Sequence, residues 1–181
     1  MEIIKLLALL IGSAILFACC AARPAPTLSY QEKAFRAHIV CQSDEASFGA
    51  ILTSVPSSEE SDTAERNLTL EFTSPDTLCG IKVQKNSHGV TVLLDEMEIS
   101  APHAIRWLSI AELFDIEATV KESSIETLDG QKLNFINAVS DDGKEFSLYL
   151  YPSSGLPRRI LGEINDKPTT LDVISFEFIP Q

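Results

Sequence analysis

The chain has 181 residues, enough for one domain with a substantial core, and carries 14 Lys and Arg against 26 Asp and Glu, a net charge of −12. It contains no run of five basic residues. These properties argue against nucleic acid as a partner and against broad electrostatic adhesion to anionic membranes. Any membrane attachment therefore needs another device.

The N-terminus is typical of a secretion signal. A weakly positive start precedes an apolar run, Leu6 to Phe17, that is too short to span a bilayer comfortably. The run ends in Leu16-Phe17-Ala18-Cys19, which resembles a bacterial lipobox, with Phe17 bulkier than the usual residue there. The resemblance implies that residues 1–18 are a lipoprotein signal peptide. It also implies that Cys19 carries a diacylglycerol, whose acyl chains, such as palmitate, anchor the mature protein to the cell membrane.

Two other interpretations of this leader stay open. An ordinary signal peptide would be cleaved after Ala21 or Ala22, and an uncleaved anchor is the third interpretation. We prefer the lipoprotein, because a cysteine directly after a small residue at the end of the apolar run is otherwise hard to explain. Residues 19–29, which contain prolines and show no periodicity, then predict a lipid-anchored tether on the extracytoplasmic face.

Period-two alternation of apolar residues predicts strands along most of the chain after the tether. In the third predicted strand, Leu68, Leu70 and Phe72 share one parity and should point inward. The acidic segment 56–65 has no apolar run and predicts a solvated loop at a hairpin tip. The strands predicted in this half of the chain span residues 34–43, 48–55, 67–73, 81–85, 90–95 and 97–100.

Residues 103–116 show the only strong helical pattern after the N-terminus. Trp107, Leu108 and Ala111 lie on one stripe at helical spacing, and the preceding Pro102 fits a helix start. A sheet made from the surrounding strands would have an apolar face that needs cover. The sequence therefore predicts a helix that covers this face.

Strands resume after the helix. Asp129-Gly130 and Asp141-Asp142-Gly143 are strong turn signals between them. The predicted fold class is α+β, a single domain over residues 30–181 with roughly ten short antiparallel strands. The strands predicted in this half span residues 118–128, 132–139, 145–151, 158–164 and 171–179.

Two cysteines fall within the predicted domain. Cys41 and Cys79 share strand parity with apolar neighbours, so both are expected to face the core. A meandering sheet would separate them by three strand spacings, on the order of 14 Å, whereas a disulfide needs Cα atoms within about 7 Å. We therefore expect two buried thiols, although a disulfide is conceivable in an oxidising compartment.

Two segments resemble the LolA/LolB-like lipoprotein-carrier family, which includes lipid-anchored relatives in Gram-positive bacteria such as germination lipoproteins. Phe72-Thr-Ser-Pro-Asp-Thr-Leu-Cys-Gly-Ile81 is similar to a strand–turn–strand segment of that family, and Leu148-Tyr-Leu-Tyr-Pro-Ser-Ser-Gly-Leu-Pro-Arg-Arg-Ile160 to its late hairpin. The resemblance covers about residues 30–179. It implies a strongly curved, incomplete barrel whose apolar concave face is covered by helix 103–116 and holds acyl chains. Because a soluble carrier needs no anchor, an acylated Cys19 places this chain nearer to the anchored relatives.

Seven large apolar residues could line such a cavity. For any single one of them, packing into an ordinary core is the simpler expectation. Excess volume between sheet and helix would favour a cavity, and each methylene moved out of water there contributes about 0.8 kcal/mol. The candidates are Phe35, Leu70, Phe72, Trp107, Phe114, Phe146 and Leu148.

The sequence shows no catalytic constellation. His38, His88 and His103 are widely separated, and the chain lacks the His-Glu-x-x-His, Gly-x-Ser-x-Gly and Cys-x-x-Cys motifs. Oxygen ligands are too sparse along any one loop for a calcium site. We therefore expect no enzyme activity, no metal site and no cofactor.

The sequence thus favours an extracytoplasmic, membrane-anchored lipoprotein that binds a lipid or a lipoprotein acyl chain. The alternative is a non-catalytic accessory lipoprotein with the same fold, its cavity filled by its own side chains, that binds an extracytoplasmic protein such as a cell-wall enzyme. The acidic loop Ser57 to Glu65 and the sheet edges are the natural surfaces for such a partner.

Overall fold

The computed structural model describes residues 28, 30, 33–44, 46–57, 66–114, 118–140, 143–164 and 166–180. The predicted signal peptide, the lipid-attachment residue Cys19 and most of the predicted tether lie outside the described residues, as does the acidic loop from residue 58 to 65. Within the described part of the chain, no helix has the length and apolar character needed to cross a membrane.

Eleven strands and one short helical region make up the described structure. The helical region has a first 3₁₀ turn at Pro102–Ala104, the helix α1 at Ile105–Leu108 and a second 3₁₀ segment at Ser109–Leu113. The strands are β1 (Phe35–Ser43), β2 (Ser47–Pro56), β3 (Arg66–Ser74), β4 (Lys82–Asn86), β5 (Gly89–Leu94), β6 (Met97–Ser100), β7 (Ala118–Leu128), β8 (Gln131–Ser140), β9 (Glu145–Leu150), β10 (Pro157–Ile164) and β11 (Lys167–Phe178).

All eleven strands form one antiparallel sheet in the order β6-β5-β4-β3-β2-β1-β11-β10-β9-β8-β7. Consecutive strands are neighbours except for β6 and β7, and the pairing of β1 with β11 joins the two halves of the chain. The sheet is not closed, because β6 and β7 are its two edges, and it fits an incomplete barrel. The predicted antiparallel sheet is confirmed, and the helical region links one edge to the other.

The strands follow from the alternation of the sequence. In β1, Phe35, Ala37, Ile39 and Cys41 are all at most 4% exposed, whereas the residues between them face outward. The predicted turn at Asp129-Gly130 is present, with φ values of 51° and 79°. Both residues have the positive φ that a tight type I′ hairpin requires, and Asp and Gly tolerate it better than most residues do.

The helical region is shorter and less regular than the predicted helix 103–116. Only four residues are α-helical, 3₁₀ turns flank them, and residues 115–117 lie outside the described part. Ala101, which precedes the first 3₁₀ turn, offers no side-chain capping hydrogen bond. Since so short a helix has little stability of its own, tertiary packing decides its conformation.

The helical region packs against the sheet on both sides of the β1–β11 pairing. Helix α1 contacts β3 and β4, the first 3₁₀ turn contacts β5, and the second 3₁₀ segment contacts β10. Leu108, Ile110 and Phe114 are buried in one cluster with residues from both halves of the sheet. Every buried apolar residue of the described chain lies between Tyr30 and Val173. The whole described core therefore lies within residues 28–181, so we expect this part to fold without residues 1–27.

The two cysteines of the domain have different environments. Cys41 is buried and Cys79 is exposed, and both are free. The prediction of a buried thiol is confirmed for Cys41 and wrong for Cys79. Cys79 belongs to the turn between β3 and β4, where Gly80 has a φ of 85°. The prediction assumed that the alternation of β4 extends back to Cys79. The turn interrupts that alternation, so Cys79 does not share the inward face of β4.

Candidate functional site

A cleft of about 500 Å³ lies where the helical region meets one end of the sheet. Ser43, at the end of β1, pairs with Thr169, near the start of β11, so the β1–β2 and β10–β11 hairpin ends lie side by side. Both hairpin ends and the helical region contribute to the wall. The volume falls in the range of small-molecule sites, roughly 300–1,000 Å³. The apolar residues that line the cleft are Cys41, Ala46, Phe48, Trp107, Ile110 and Ile164.

Three aromatic rings support the apolar wall. Trp107 meets Phe48 and Phe72 edge-on, with ring centroids 5.7 and 5.5 Å away, and Phe48 and Phe72 are 5.2 Å apart. Edge-to-face contacts of this kind are the preferred geometry for aromatic pairs. Because the rings hold one another in place, Trp107 presents a fixed apolar surface to the cleft.

Among the described residues, four polar ones also line the cleft: Ser43, Arg106, Lys167 and Thr169. The Arg106 guanidinium lies 5.7 Å from the Trp107 ring centroid, within the range of a cation–π contact. The Thr169 hydroxyl donates a hydrogen bond to the Lys167 carbonyl oxygen at 3.0 Å. The cleft thus combines an apolar wall with two cationic side chains.

Cys41 contributes a thiol to the cleft wall. Only 4% of the residue is exposed, and burial raises the pKa of the thiol to about 11. The nucleophilic form of cysteine is the thiolate, which is scarce at neutral pH when the pKa is this high. Cys41 therefore acts as a small apolar residue in the wall.

The predicted lining residues occupy two environments. Trp107 lines the cleft. The remaining six are at most 5% exposed and belong to the central core cluster, in which Phe35 and Phe114 have ring centroids 5.5 Å apart. The fold therefore brings all seven into one apolar cluster. The six buried residues are Phe35, Leu70, Phe72, Phe114, Phe146 and Leu148.

Sequence reasoning missed most of the cleft. Phe48 has a detectable signal, since it shares inward parity with Ala50 and Leu52 on β2. Arg106 and Lys167 have none, because they are far apart in sequence and line the same cleft only through the β1–β11 pairing and the placement of α1.

A polar network lies on the outer face of β7 to β11. Asp172 accepts hydrogen bonds from Arg159 Nε at 2.6 Å and from Arg158 Nη1 at 3.2 Å. Glu126 accepts one from the Tyr149 hydroxyl at 3.2 Å; burial and this hydrogen bond raise the pKa of Tyr149. The members satisfy one another, so the network is a structural feature of the sheet. Among the described residues, no three His, Cys, Asp or Glu side chains are grouped to hold a metal ion.

No protein-family model matches the sequence, and no curated protein is similar to it. Solved structures are similar in fold. An uncharacterized conserved protein from Thermus thermophilus has a TM-score of 0.50 and 13% identity, over 84% of this chain and 83% of that one. MucB, also known from Pseudomonas aeruginosa in a complex with MucA, has a TM-score of 0.50 and 11% identity, over 83% of this chain and 55% of its own.

A LolA superfamily protein from Nitrosomonas europaea is also among the similar structures, with a TM-score of 0.40 and 10% identity, over 82% of this chain and 87% of that one. The chain spans only about half the length of MucB. At these identities the likeness is one of fold.

Proposed function

We propose that this chain is a non-catalytic, extracytoplasmic lipoprotein, anchored to the cell membrane through an acylated Cys19, that binds an acyl chain of a lipid or lipoprotein. In this proposal the sheet is a curved half-barrel, and the helical region covers its concave face. The acyl chain occupies the cleft beside Trp107.

The observation that carries the proposal is the cleft itself. Its volume of about 500 Å³ adjoins Phe48, Trp107 and Ile110, and its most reactive group, the Cys41 thiol, is held neutral by burial. An acyl chain placed against this wall would gain about 0.8 kcal/mol for each methylene removed from water. Micromolar affinity, roughly −8 kcal/mol, corresponds to about ten buried methylenes, and the cost of association raises that number.

Trp107 is the only tryptophan of the chain and therefore reports directly on the cleft. Residues 28–181 would be titrated with a fatty acid brominated in its acyl chain, because bromine quenches tryptophan on contact. We expect saturable quenching at micromolar concentration, reversed by the unbrominated acid. Unchanged emission up to the solubility limit of the acid would contradict acyl-chain binding and favour a self-filled core.

A pair of variants separates the cleft from non-specific adsorption. Ala46 is half-buried and lines the cleft, so Ala46→Phe should fill it and reduce quenching. Thr119 is exposed on β7, so Thr119→Phe adds the same ring to the surface as a control. Equal quenching in both variants would place the bound acid elsewhere.

The membrane anchor has its own test, which uses the full chain. Cells expressing it would be grown with labelled fatty acid, and the purified protein examined for label. We expect incorporation into the unaltered chain and none into Cys19→Ala. Equal incorporation would eliminate the lipobox interpretation.

A second candidate function, binding of an extracytoplasmic protein, is favoured by an exposed apolar patch on β5 and β6. Leu94, Met97 and Ile99 are 40%, 58% and 59% exposed. Leu94 pairs with Met97, and Ile99 pairs with Val92, two residues before Leu94, so the three share one face. Exposed apolar groups next to an open sheet edge are typical of interaction surfaces. Capture of one stoichiometric partner from detergent-solubilised membranes, lost in Ile99→Lys, would support this function; capture that survives the substitution would contradict it.

A further inference from the structure

The described charged residues of the cleft have the opposite sign to the net charge of the chain. Acidic residues outnumber basic ones by 26 to 14 in the whole sequence, yet among the described residues the two charged ones that line the cleft, Arg106 and Lys167, are both cations. They belong to different elements, α1 and β11, which only the fold brings to one site. A site lined by charges of a single sign concentrates counter-ions of the other sign.

Arg106 is positioned for a ligand. It is exposed, its guanidinium is held beside the Trp107 ring at 5.7 Å, and no carboxylate among the described residues forms an ion pair with it. The guanidinium is planar and always charged, and its five N–H donors suit a carboxylate or a phosphate. The apolar wall and the cationic group therefore adjoin at a single residue pair, Arg106 and Trp107.

The acids near the cleft residues in sequence whose side chains the structure describes do not line the cleft. Glu163 and Asp166 are exposed and do not line the cleft. Asp44 lines a neighbouring groove of about 410 Å³ that shares only Ser43 and Thr169 with the cleft. Exposed acids act through water and salt, which weaken their effect.

We propose that the ligand of the cleft is an anionic amphiphile, whose acyl chain packs against Phe48 and Trp107 and whose carboxylate or phosphate is bound by Arg106 and Lys167. The inference depends on the proposed acyl-chain binding and specifies its ligand class. Charge-assisted hydrogen bonds to the anion are stronger than neutral ones and would favour it over an uncharged amphiphile with the same chain.

The test compares four amphiphiles whose hydrocarbon chains have the same number of carbon atoms, on residues 28–181 and below their micelle concentrations. Palmitic acid and palmitoyl lysophosphatidylglycerol carry the two anions, monopalmitoylglycerol is neutral, and hexadecyltrimethylammonium is cationic. Each would compete with the brominated fatty acid for quenching of Trp107. We expect at least one anion to bind about tenfold more tightly than the neutral compound. Preference for palmitic acid would identify a carboxylate ligand, and preference for the lysophospholipid a phosphate ligand.

Charge-removal variants assign that preference to the two cations. Arg106→Gln with Lys167→Gln should abolish the tenfold preference and leave the affinity for monopalmitoylglycerol unchanged. The control, Lys82→Gln with Lys121→Gln, removes the same charge from two surface ion pairs, with Glu71 and Glu145, and should keep the preference. Preserved preference in the cleft variant, or its loss in the control, would overturn the assignment.

The outcomes distinguish this inference from the proposed function. If the neutral and anionic amphiphiles bind the unaltered domain equally, the inference fails and acyl-chain binding stands. If the cationic amphiphile binds most tightly, the inference also fails. If none of the four competes and the brominated acid does not quench, acyl-chain binding itself is eliminated and the inference with it.

Discussion

One row of apolar residues crosses the first six strands and has very different environments at its two ends. Register pairs Ala37, Leu52, Leu70, Val83, Val92 and Ile99 in succession, so all six lie on the same face of the sheet. The first three are fully buried and Val83 is 2% exposed, whereas Val92 is half-buried and Ile99 is 59% exposed.

The difference in burial along the row depends on which strands the helical region contacts. Helix α1 contacts β3 and β4, and only the short first 3₁₀ turn reaches β5. The alternation that places Leu70 in the core is the same alternation that places Ile99 on the open edge. Strand periodicity therefore specifies which face a residue takes, and the packing of other elements determines whether that face is dry.

The largest expected effect compares the two ends of this row. Leu70→Ala should lower the free energy of unfolding by about 2–5 kcal/mol, because it removes a fully buried side chain and leaves a cavity. Ile99→Ala should change it by no more than about 0.5 kcal/mol, since the side chain is already in water. Urea unfolding of both variants measures the contrast. Similar losses would mean that a further covering element buries β6.

A smaller effect uses the thiol at the covered end of the sheet. Burial raises the pKa of Cys41 from 9.0 to about 11 in the folded protein. The folded state therefore holds this proton more tightly, so the stabilisation is complete below pH 9 and is lost as the pH rises through 11. The loss should be at most about 3 kcal/mol. Subtracting the pH profile of Cys41→Ala isolates it, because all other titrations are common to both proteins. Parallel profiles would show that the thiol is accessible to water.

The smallest effect probes the contact between the second 3₁₀ segment and β10, in the second half of the sheet. A Cβ added at Gly162 on β10 would lie 2.8 Å from Leu113 Cδ2, so the end of a flexible side chain must move. Gly162→Ala should therefore destabilise the protein by about 1 kcal/mol. A double-mutant cycle with Leu113→Ala should show coupling between the two positions. If the losses in the free energy of unfolding from the two substitutions are additive, the second 3₁₀ segment does not pack against β10 at these positions.

The strands were predictable because their signal is local. The alternation of Leu68, Leu70 and Phe72 predicts β3, and Asp129-Gly130 predicts the turn that precedes β8. Cys79 shows where this reasoning fails, since the turn before β4 interrupts the parity on which its burial was predicted. The prediction of a regular helix over residues 103–116 was wrong for a different reason. The apolar stripe is present in the sequence, but a short segment without a capping side chain takes the conformation that its contacts favour.

The cleft was predictable only in part. Trp107 is a candidate from its place on the apolar stripe, and the alternation of β2 places Phe48 on the inward face. Arg106 and Lys167 are separated by 61 positions in the chain (167 − 106 = 61) and carry no shared motif. They line the same cleft because β1 pairs with β11, a contact between the two ends of the domain.

The order of residues thus specified the leader motif, the eleven alternating segments, their tight turns and the apolar stripe between the two halves. These features depend on covalent order and near neighbours. Three-dimensional packing alone specified which strands the helical region contacts, that Cys79 faces water, and that two cations line one apolar cleft. Such properties arise between residues that are distant along the chain, where burial and charge depend on what lies opposite.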